Sequence, residues 1–164
     1  MGYIPQDSFL FSDTIEDNVR FGKPDATLEE ITEACRVASI HMNIMELKYQ
    51  YKTIVGEKGV TLSGGQKQRL CIARAIIRRP QILILDDALS SVDTNTEKEI
   101  IRNLGIYSKG ITTIVISHRI SSFIKADKIF VLDRGRIESS GTHRELIKKS
   151  DIYKSIYKIQ KLEE

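Results

Sequence analysis

Two groups of residues in this sequence could bind and act on a phosphate. The first is the stretch Leu62-Ser63-Gly64-Gly65-Gln66. Ser63 and Gln66 have the spacing of a capping box, which predicts that a helix begins directly after Ser63. Because two glycines follow the cap, the first N–H groups of this helix stay uncovered. Such a helix terminus is suited to binding phosphate.

The second group is a pair of carboxylates, Asp86 and Asp87, that follows the apolar run at residues 82–85. The run predicts a strand that is buried on both faces, as in a parallel sheet. Open α/β sheets bind their ligands at the carboxyl ends of such strands. One carboxylate there can hold Mg²⁺, and the next can orient or deprotonate a water molecule.

The chain up to Pro80 has the pattern of a mostly helical region. Asp13 is expected to cap a short helix, and Thr27 with Glu30 forms a capping box for a longer one. After Pro80, strands alternate with helices, which predicts a parallel sheet. The predicted strands are residues 82–85, 112–116 and 128–132, with a hairpin into 136–139 and a helix capped by Thr94 between the first two.

The order of these motifs resembles the ATP-binding cassette (ABC) family. In that family LSGGQ is the signature motif, the apolar run with Asp86 is the Walker B strand, and residues 88–93 are the D-loop. The resemblance covers essentially the whole chain. It implies an α/β fold in which a helical signature subdomain, residues 1–80, precedes the C-terminal half of a RecA-like P-loop NTPase core with a mainly parallel sheet, residues 81–164.

The resemblance also implies an ATP- and Mg²⁺-dependent ATPase site. Asp87 would be the catalytic carboxylate, and His118, after the strand at 112–116, would be the switch histidine that contacts the γ-phosphate. Asp86 and Gln6 would be the metal ligands. The residues expected to contact nucleotide are Gln6, Leu62, Ser63, Gly64, Gly65, Gln66 and Asp93.

Two loops resemble those of ABC exporters in particular. Residues 4–11 are similar to the exporter Q-loop, and residues 53–59, centred on Glu57, to the X-loop. The resemblance implies contact with transmembrane domains through residues 6–11 and through the Glu57 loop. The expected location is the cytoplasmic side of the cell membrane, where the chain would be peripheral.

Asp87 departs from the family pattern, in which this position is ordinarily a glutamate. Shortening the side chain by one methylene displaces the carboxylate, and an error of about 1 Å can cost ~10²-fold in rate. Heterodimeric exporters often carry this change in one subunit. We therefore expect a second nucleotide-binding domain, in a heterodimer, whose ATP site is completed by the signature of this chain. The presence of His118 argues the other way, because degenerate subunits often lose that residue.

The sequence contains no G-x-x-x-x-G-K-[S/T] motif, which in P-loop NTPases cradles the phosphates. The expectation is therefore the C-terminal portion of a nucleotide-binding domain, without ATPase activity on its own. The strand at 82–85 is expected to lack a neighbour, leaving apolar surface exposed and the chain marginally stable or associating.

The composition is that of an ordinary globular protein. The net charge of +3 is spread along the chain and gives no basis for a nucleic-acid partner, and no apolar stretch is long enough to span a bilayer. Cys35 and Cys71 are expected to be packed, reduced thiols.

Three functions remain open. The chain could be part of an exporter ATPase, a non-catalytic fragment that binds a partner cassette, or a piece of a soluble ABC ATPase acting on nucleic acid. The exporter-like loops favour the first.

Overall fold

A computed structural model describes residues 1–57, 59–107 and 109–162. Contacts divide the chain into two compact units, Met1–Ser117 and His118–Glu164, each with its own hydrophobic core. The prediction from motifs divided the chain after residue 80 instead, and that division stays a prediction. Lys58, within the predicted X-loop, lies outside the described residues.

The first unit combines a helical region with a small sheet. Its elements are β1 (Gly2–Ile4), α1 (Ile15–Arg20), α2 (Leu28–Val37), α3 (His41–Met45), α4 (Gly64–Ile76), β2 (Ile82–Asp86), α5 (Thr94–Tyr107) and β3 (Thr112–Ile116). The three strands are parallel, and β2 lies between β1 and β3. Leu83 pairs with Gly2 on one side and with Thr113 on the other. The predicted α/β class with a mainly parallel sheet is confirmed.

Two expectations about β2 are wrong. The strand has a neighbour on each side, because residues 2–4 extend far enough to pair with it. It is also not buried on both faces. Leu83 and Leu85 are buried against the helices, whereas Ile82 on the opposite face is 42% exposed. The same holds for β3, where Ile114 and Ile116 are 46% and 50% exposed.

Side-chain caps fix where the helices begin. Thr27 and Glu30 form the predicted capping box of α2. Asp13, however, is not the cap of α1, because Thr14 occupies that position and its hydroxyl accepts from the N–H of Asp17.

Both cysteines are buried and outside any disulfide, as predicted, and burial raises the pKa of Cys35 to about 12.

The second unit is a hairpin followed by two helices. Its elements are β4 (Ile129–Asp133), β5 (Arg136–Gly141), α6 (His143–Lys149) and α7 (Asp151–Leu162). β4 and β5 pair in antiparallel fashion, as predicted. Thr142 and Glu145 form the predicted capping box at the start of α6. Leu146 of α6 and Tyr153 of α7 are buried in the core of this unit together with the inward side chains of β4.

Candidate functional site

The two predicted catalytic-site carboxylates lie at the carboxyl end of the central strand. Asp86 is the last residue of β2, and its Oδ2 accepts a hydrogen bond of 3.0 Å from the phenol of Tyr3. This bond raises the pKa of Tyr3, because ionisation would place a phenolate beside a carboxylate. Asp86 is therefore held in one orientation by the neighbouring strand.

Asp87 turns the chain sharply away from the sheet. Its φ of +48° lies in the left-handed region, which aspartate tolerates better than most residues. Its N–H donates to the carbonyl of Ile116 at 2.8 Å, so the turn is tied to the end of β3. The residue is 7% exposed. This geometry fixes the direction in which the carboxylate points.

The structure brings two of the predicted site residues together. Gln6 follows β1, and its Nε2 lies 3.5 Å from Oδ2 of Asp87. The carboxyl ends of β1 and β2 thus carry an amide and two carboxylates, which are oxygen-rich ligands of the kind that Mg²⁺ prefers. Among the described residues no group of three or more His, Cys, Asp and Glu side chains could hold a metal. Since protein-bound Mg²⁺ usually takes one or two carboxylates plus waters and substrate phosphates, the residues present fit this ion.

The signature stretch has the predicted cap. Ser63 Oγ accepts from the N–H of Gln66 at 3.2 Å, and Gln66 Oε1 accepts from the N–H of Ser63 at 2.9 Å. The capping box leaves the amides of Gly64 and Gly65 at the open end of α4. Leu62, before the cap, is buried in the core.

Asp93 is the N-cap of α5, a role that the sequence predicted for Thr94. Its Oδ1 accepts from the N–H of Thr96 at 3.0 Å, so it caps α5, and this hydrogen bond lowers the pKa of Asp93. The expectation that Thr94 is the cap is wrong, because Thr94 is already inside the helix. Contact of Asp93 with nucleotide stays a prediction.

His118 is the first residue of the second unit. Its backbone carbonyl accepts from the side-chain amide of Gln160 in α7, and Oε1 of the same glutamine accepts from the N–H of Ile120. The first residues of the second unit are therefore fixed to its last helix. The catalytic role of His118 stays a prediction.

The predicted X-loop lies beside the end of the predicted Q-loop and the residues that follow it, since a Cβ on Gly56 would lie 3.1 Å from the carbonyl oxygen of Phe11. Thr14 and Ile54 form an antiparallel bridge, and the N–H of Ile15 donates to the carbonyl of Thr53 at 3.0 Å. Gly56 has a φ of +93°, and a Cβ there would lie 3.0 Å from the Cα of Ser12, so the approach requires glycine.

The buried Asn18 and the half-buried Arg74 hold the end of the Q-loop. Asn18 exchanges two hydrogen bonds with the backbone of Phe11, and Arg74 donates to Asn18 and to the carbonyl of Phe9 at 2.8–2.9 Å. The rings of Phe9, Phe11 and Phe21 are exposed, and the ring of Phe11 contacts both of the others. We call these three residues the aromatic patch.

Sequence reasoning missed Tyr3, Asn18, Gln68 and Arg74. Tyr3 could have been found from strand alternation, since every second residue of β1 faces the same side as Asp86. The others form hydrogen bonds over long sequence separations, for which a single sequence carries no signal.

Comparison with known proteins identifies the family. A family model described as ABC transporter matches residues 1–90. The chain belongs to the ABC transporter family. Its ATP-binding domains are the group to which the signature and the Walker B strand point, so the prediction of the family from the sequence is confirmed.

The ABC relatives are much longer than this chain. An uncharacterized ABC transporter ATP-binding protein of Bacillus subtilis (strain 168) is 51% identical over 98% of this chain and 27% of its own length. A Staphylococcus aureus (strain N315) protein, provisionally named as a multidrug export ATP-binding/permease protein, is 49% identical over 99% of this chain and 28% of its own length. The chain thus spans little more than a quarter of these relatives.

A solved structure supports the fold as well. The structure of a bacterial Atm1-family ABC exporter with ATP bound superposes with a TM-score of 0.92 and 41% identity, covering 97% of this chain and 28% of the exporter chain. This exporter is called the solved exporter below. No helix in the described ranges 1–57, 59–107 and 109–162 is long and apolar enough to cross a membrane.

Proposed function

We propose that this chain forms part of an ATP-hydrolysing site in an ABC exporter. The observation that carries the proposal is the meeting of Gln6 with Asp87 at the carboxyl edge of the parallel sheet, beside Asp86. A ligand bound at that edge would meet an amide and two carboxylates at once. Similarity to the solved exporter with ATP bound supports ATP as the nucleotide.

Asp86 and Gln6 would hold Mg²⁺. Bound there, the ion would supply positive charge that offsets the negative charge developing on the phosphates during phosphoryl transfer. The hydrogen bond from Tyr3 holds Asp86 in place, so that one carboxylate oxygen is oriented before metal and nucleotide arrive. Positioning of this kind needs no reorganisation at the moment of reaction.

Asp87 would orient the attacking water and accept its proton. The amide of Gln6 contacts the Oδ2 atom and restrains the carboxylate. His118 would donate a hydrogen bond to the γ-phosphate from its imidazole. Because Asp87 is one methylene shorter than glutamate, the proposed site hydrolyses ATP slowly.

The signature would close an ATP site of a second nucleotide-binding domain. The amides of Gly64 and Gly65 and the hydroxyl hydrogen of Ser63 are donors at the open end of α4, where a phosphate is favoured. Gln66 and Leu62 hold this turn in place, and Asp93 would lie at the same interface. With a slow site of its own and an intact signature, the chain fits one half of a heterodimer.

The transmembrane domains of the exporter would contact the Q-loop and the X-loop. Their adjacency supports a single docking surface that contains the aromatic patch and the exposed Glu57. A displacement of Gln6 by nucleotide would reach that surface through residues 7–11. The chain would then act at the cytoplasmic side of the membrane, attached through those domains.

The test is a chimaera in which residues 1–164 replace the matching segment of the solved exporter. We expect Mg²⁺-dependent ATP hydrolysis in detergent or lipid, and a loss of about 10²-fold or more with Asp86→Ala. Asp25→Ala, at an exposed position, is the matched control and should keep full activity. A folded chimaera that binds ATP without hydrolysing it would favour a binding-only function. Activity that survives Asp86→Ala would contradict the proposed site.

A further inference from the structure

A buried glutamine joins the signature helix to the D-loop. Gln68 is 3% exposed and lies in the second turn of α4. Its Nε2 donates to Ser90 Oγ at 3.1 Å, and its Oε1 accepts from the N–H of Ser91 at 3.0 Å. Both polar atoms of the amide therefore form hydrogen bonds, with partners 22 and 23 residues further along the chain.

The two signature glycines contact the same D-loop residue. A Cβ on Gly65 would lie 2.8 Å from the carbonyl oxygen of Ser91, closer than such atoms approach. A Cβ on Gly64 would lie 3.3 Å from the Cβ of Ser91. The first turn of α4 thus packs directly on Ser91, and Gln68 fastens that contact by two hydrogen bonds.

The same segment begins at the carboxylate. The N–H of Ser90 donates to the carbonyl of Asp87 at 3.2 Å, and the N–H of Val92 donates to Leu89 at 3.0 Å. These turns make residues 87–92 a compact unit. The path from Asp87 to Gln68 therefore runs through one backbone hydrogen bond and the hydroxyl of Ser90.

We infer that Gln68 is a positioning residue that makes the signature and the D-loop of this chain move as one body. The inference rests on the proposed function, because it concerns how that site is regulated. The signature acts on the ATP of the partner domain, whereas Asp87 acts on the ATP of this chain. Gln68 then transmits a change at Asp87 to the signature, and in this way links hydrolysis at one site to closure of the other.

The first test measures amide hydrogen exchange in the 164-residue chain. Gln68→Met keeps the side-chain volume and removes both hydrogen bonds. We expect exchange at Ser91 and at Gln66, whose N–H donates to Ser63 Oγ in the first turn, to rise about fivefold to tenfold, while Ile72 and Ile76, further along α4, stay protected. Gln81→Met, at an exposed position, is the matched control. A purely structural role for Gln68 would raise exchange along the whole helix, and unchanged exchange at Ser91 would overturn the inference.

The second test measures ATP hydrolysis by the chimaera. Gln68→Met and Ser90→Ala should each lower kcat about tenfold, with the KM for ATP within twofold, because neither side chain is proposed to touch nucleotide. The double variant should lose no more than the worse single variant, since both break one connection. Additive losses would overturn the inference. An inactive parent chimaera would instead contradict the proposed function, and the exchange measurement would still decide on Gln68.

Discussion

Tyr3 reaches across one strand pairing to hold Asp86. Tyr3 pairs directly with Ile84, so its phenol lies diagonal to Asp86 on the same face of the sheet and donates over 3.0 Å. A hydrogen bond of this kind orients a carboxylate that is proposed to bind a metal, and it also competes for one of its oxygens.

We predict that Tyr3→Phe changes the metal dependence of the proposed site. Without the phenol, Asp86 loses its fixed orientation, so the Mg²⁺ concentration for half-maximal hydrolysis by the chimaera should rise up to about tenfold. Tyr49→Phe, at an exposed tyrosine, is the control. An unchanged Mg²⁺ requirement would mean that the phenol plays no part in orienting Asp86.

Asp87→Glu should increase turnover. The longer side chain restores about one methylene of reach toward the water, which is enough for a gain of roughly 10- to 100-fold in kcat at the slow site. Single-turnover hydrolysis by the chimaera measures this, and Asp87→Asn should remove the activity. Equal rates for the aspartate and glutamate forms would count against the proposed slow site.

Gly65→Ala should lower the free energy of unfolding by about 1–3 kcal/mol, because the new Cβ would meet the carbonyl oxygen of Ser91. Gly105→Ala is the matched control. Gly105 lies inside α5, and apart from its chain neighbours and the backbone of its own helix no atom of the described residues lies within 4 Å of the position that its Cβ would take, so alanine there should stabilise by up to about 1 kcal/mol. Urea denaturation of both variants gives the comparison, and equal changes would show that helix propensity alone decides.

Asn18→Ala should destabilise the first unit by about 3 kcal/mol. The asparagine is 1% exposed and bonds to the backbone of Phe11 and Thr14 and to Arg74, so its removal leaves several buried groups unpaired. Asn103→Ala, which removes longer hydrogen bonds of 3.3–3.4 Å, should cost less. Chemical denaturation measures the loss of stability in each variant, and amide hydrogen exchange at residues 9–11 shows how far the end of the Q-loop loosens. Similar losses for the two variants would contradict this account.

His143 should make the second unit sensitive to pH. Burial lowers the pKa of His143 below its usual value of 6.5, and its Nδ1 lies 2.8 Å from the hydroxyl of Tyr153. As the pH falls, His143 is therefore protonated in the unfolded chain before it is protonated in the folded one. Its contribution to the free energy of unfolding is fully present above pH 6.5 and decreases as the pH falls below that value. The decrease levels off once the pH is below the folded pKa.

The test is denaturation of the wild-type chain at several pH values between 5 and 7.5. The NMR signals of Tyr153 report the unfolding of the second unit. The range keeps clear of Glu145, whose lowered pKa acts in more acidic solution. His143→Gln should flatten the profile, whereas His41→Gln, the same change in the first unit, should leave it unaltered. A profile that does not depend on His143 would contradict the assignment.

Local signals predicted the elements well. The capping boxes at Thr27, Ser63 and Thr142 are all present, because each depends on two residues three apart. The caps of α1 and α5 were misassigned by one residue, since the structure places them at Thr14 and Asp93. There two candidate oxygens lie next to each other, and only the backbone geometry chooses between them.

Burial was harder to predict than the strands themselves. An isoleucine-rich strand has the same sequence whether one face or both are covered, so the strand pattern alone did not show that Ile82 and Ile114 are exposed. Exposed apolar surface was expected only because the sequence contains no G-x-x-x-x-G-K-[S/T] motif. Asp87 was singled out because it follows an apolar strand, and Gln6 because residues 4–11 resemble a Q-loop; the structure brings the two together, and their roles stay predictions. The side chains that hold this site in place, Gln68 and Tyr3, were not predicted, because each is far in sequence from the residue to which it donates a hydrogen bond.

The contact between Gly65 and Ser91 bears on how the signature is used to classify sequences. The second glycine of LSGGQ has no room for a side chain beneath the carbonyl of Ser91, whether or not ATP is ever bound. Its presence can therefore be required by packing within a single chain. An intact signature is for this reason a sound marker of the fold and a weak diagnostic of hydrolysis, which has to be judged at the carboxylates instead.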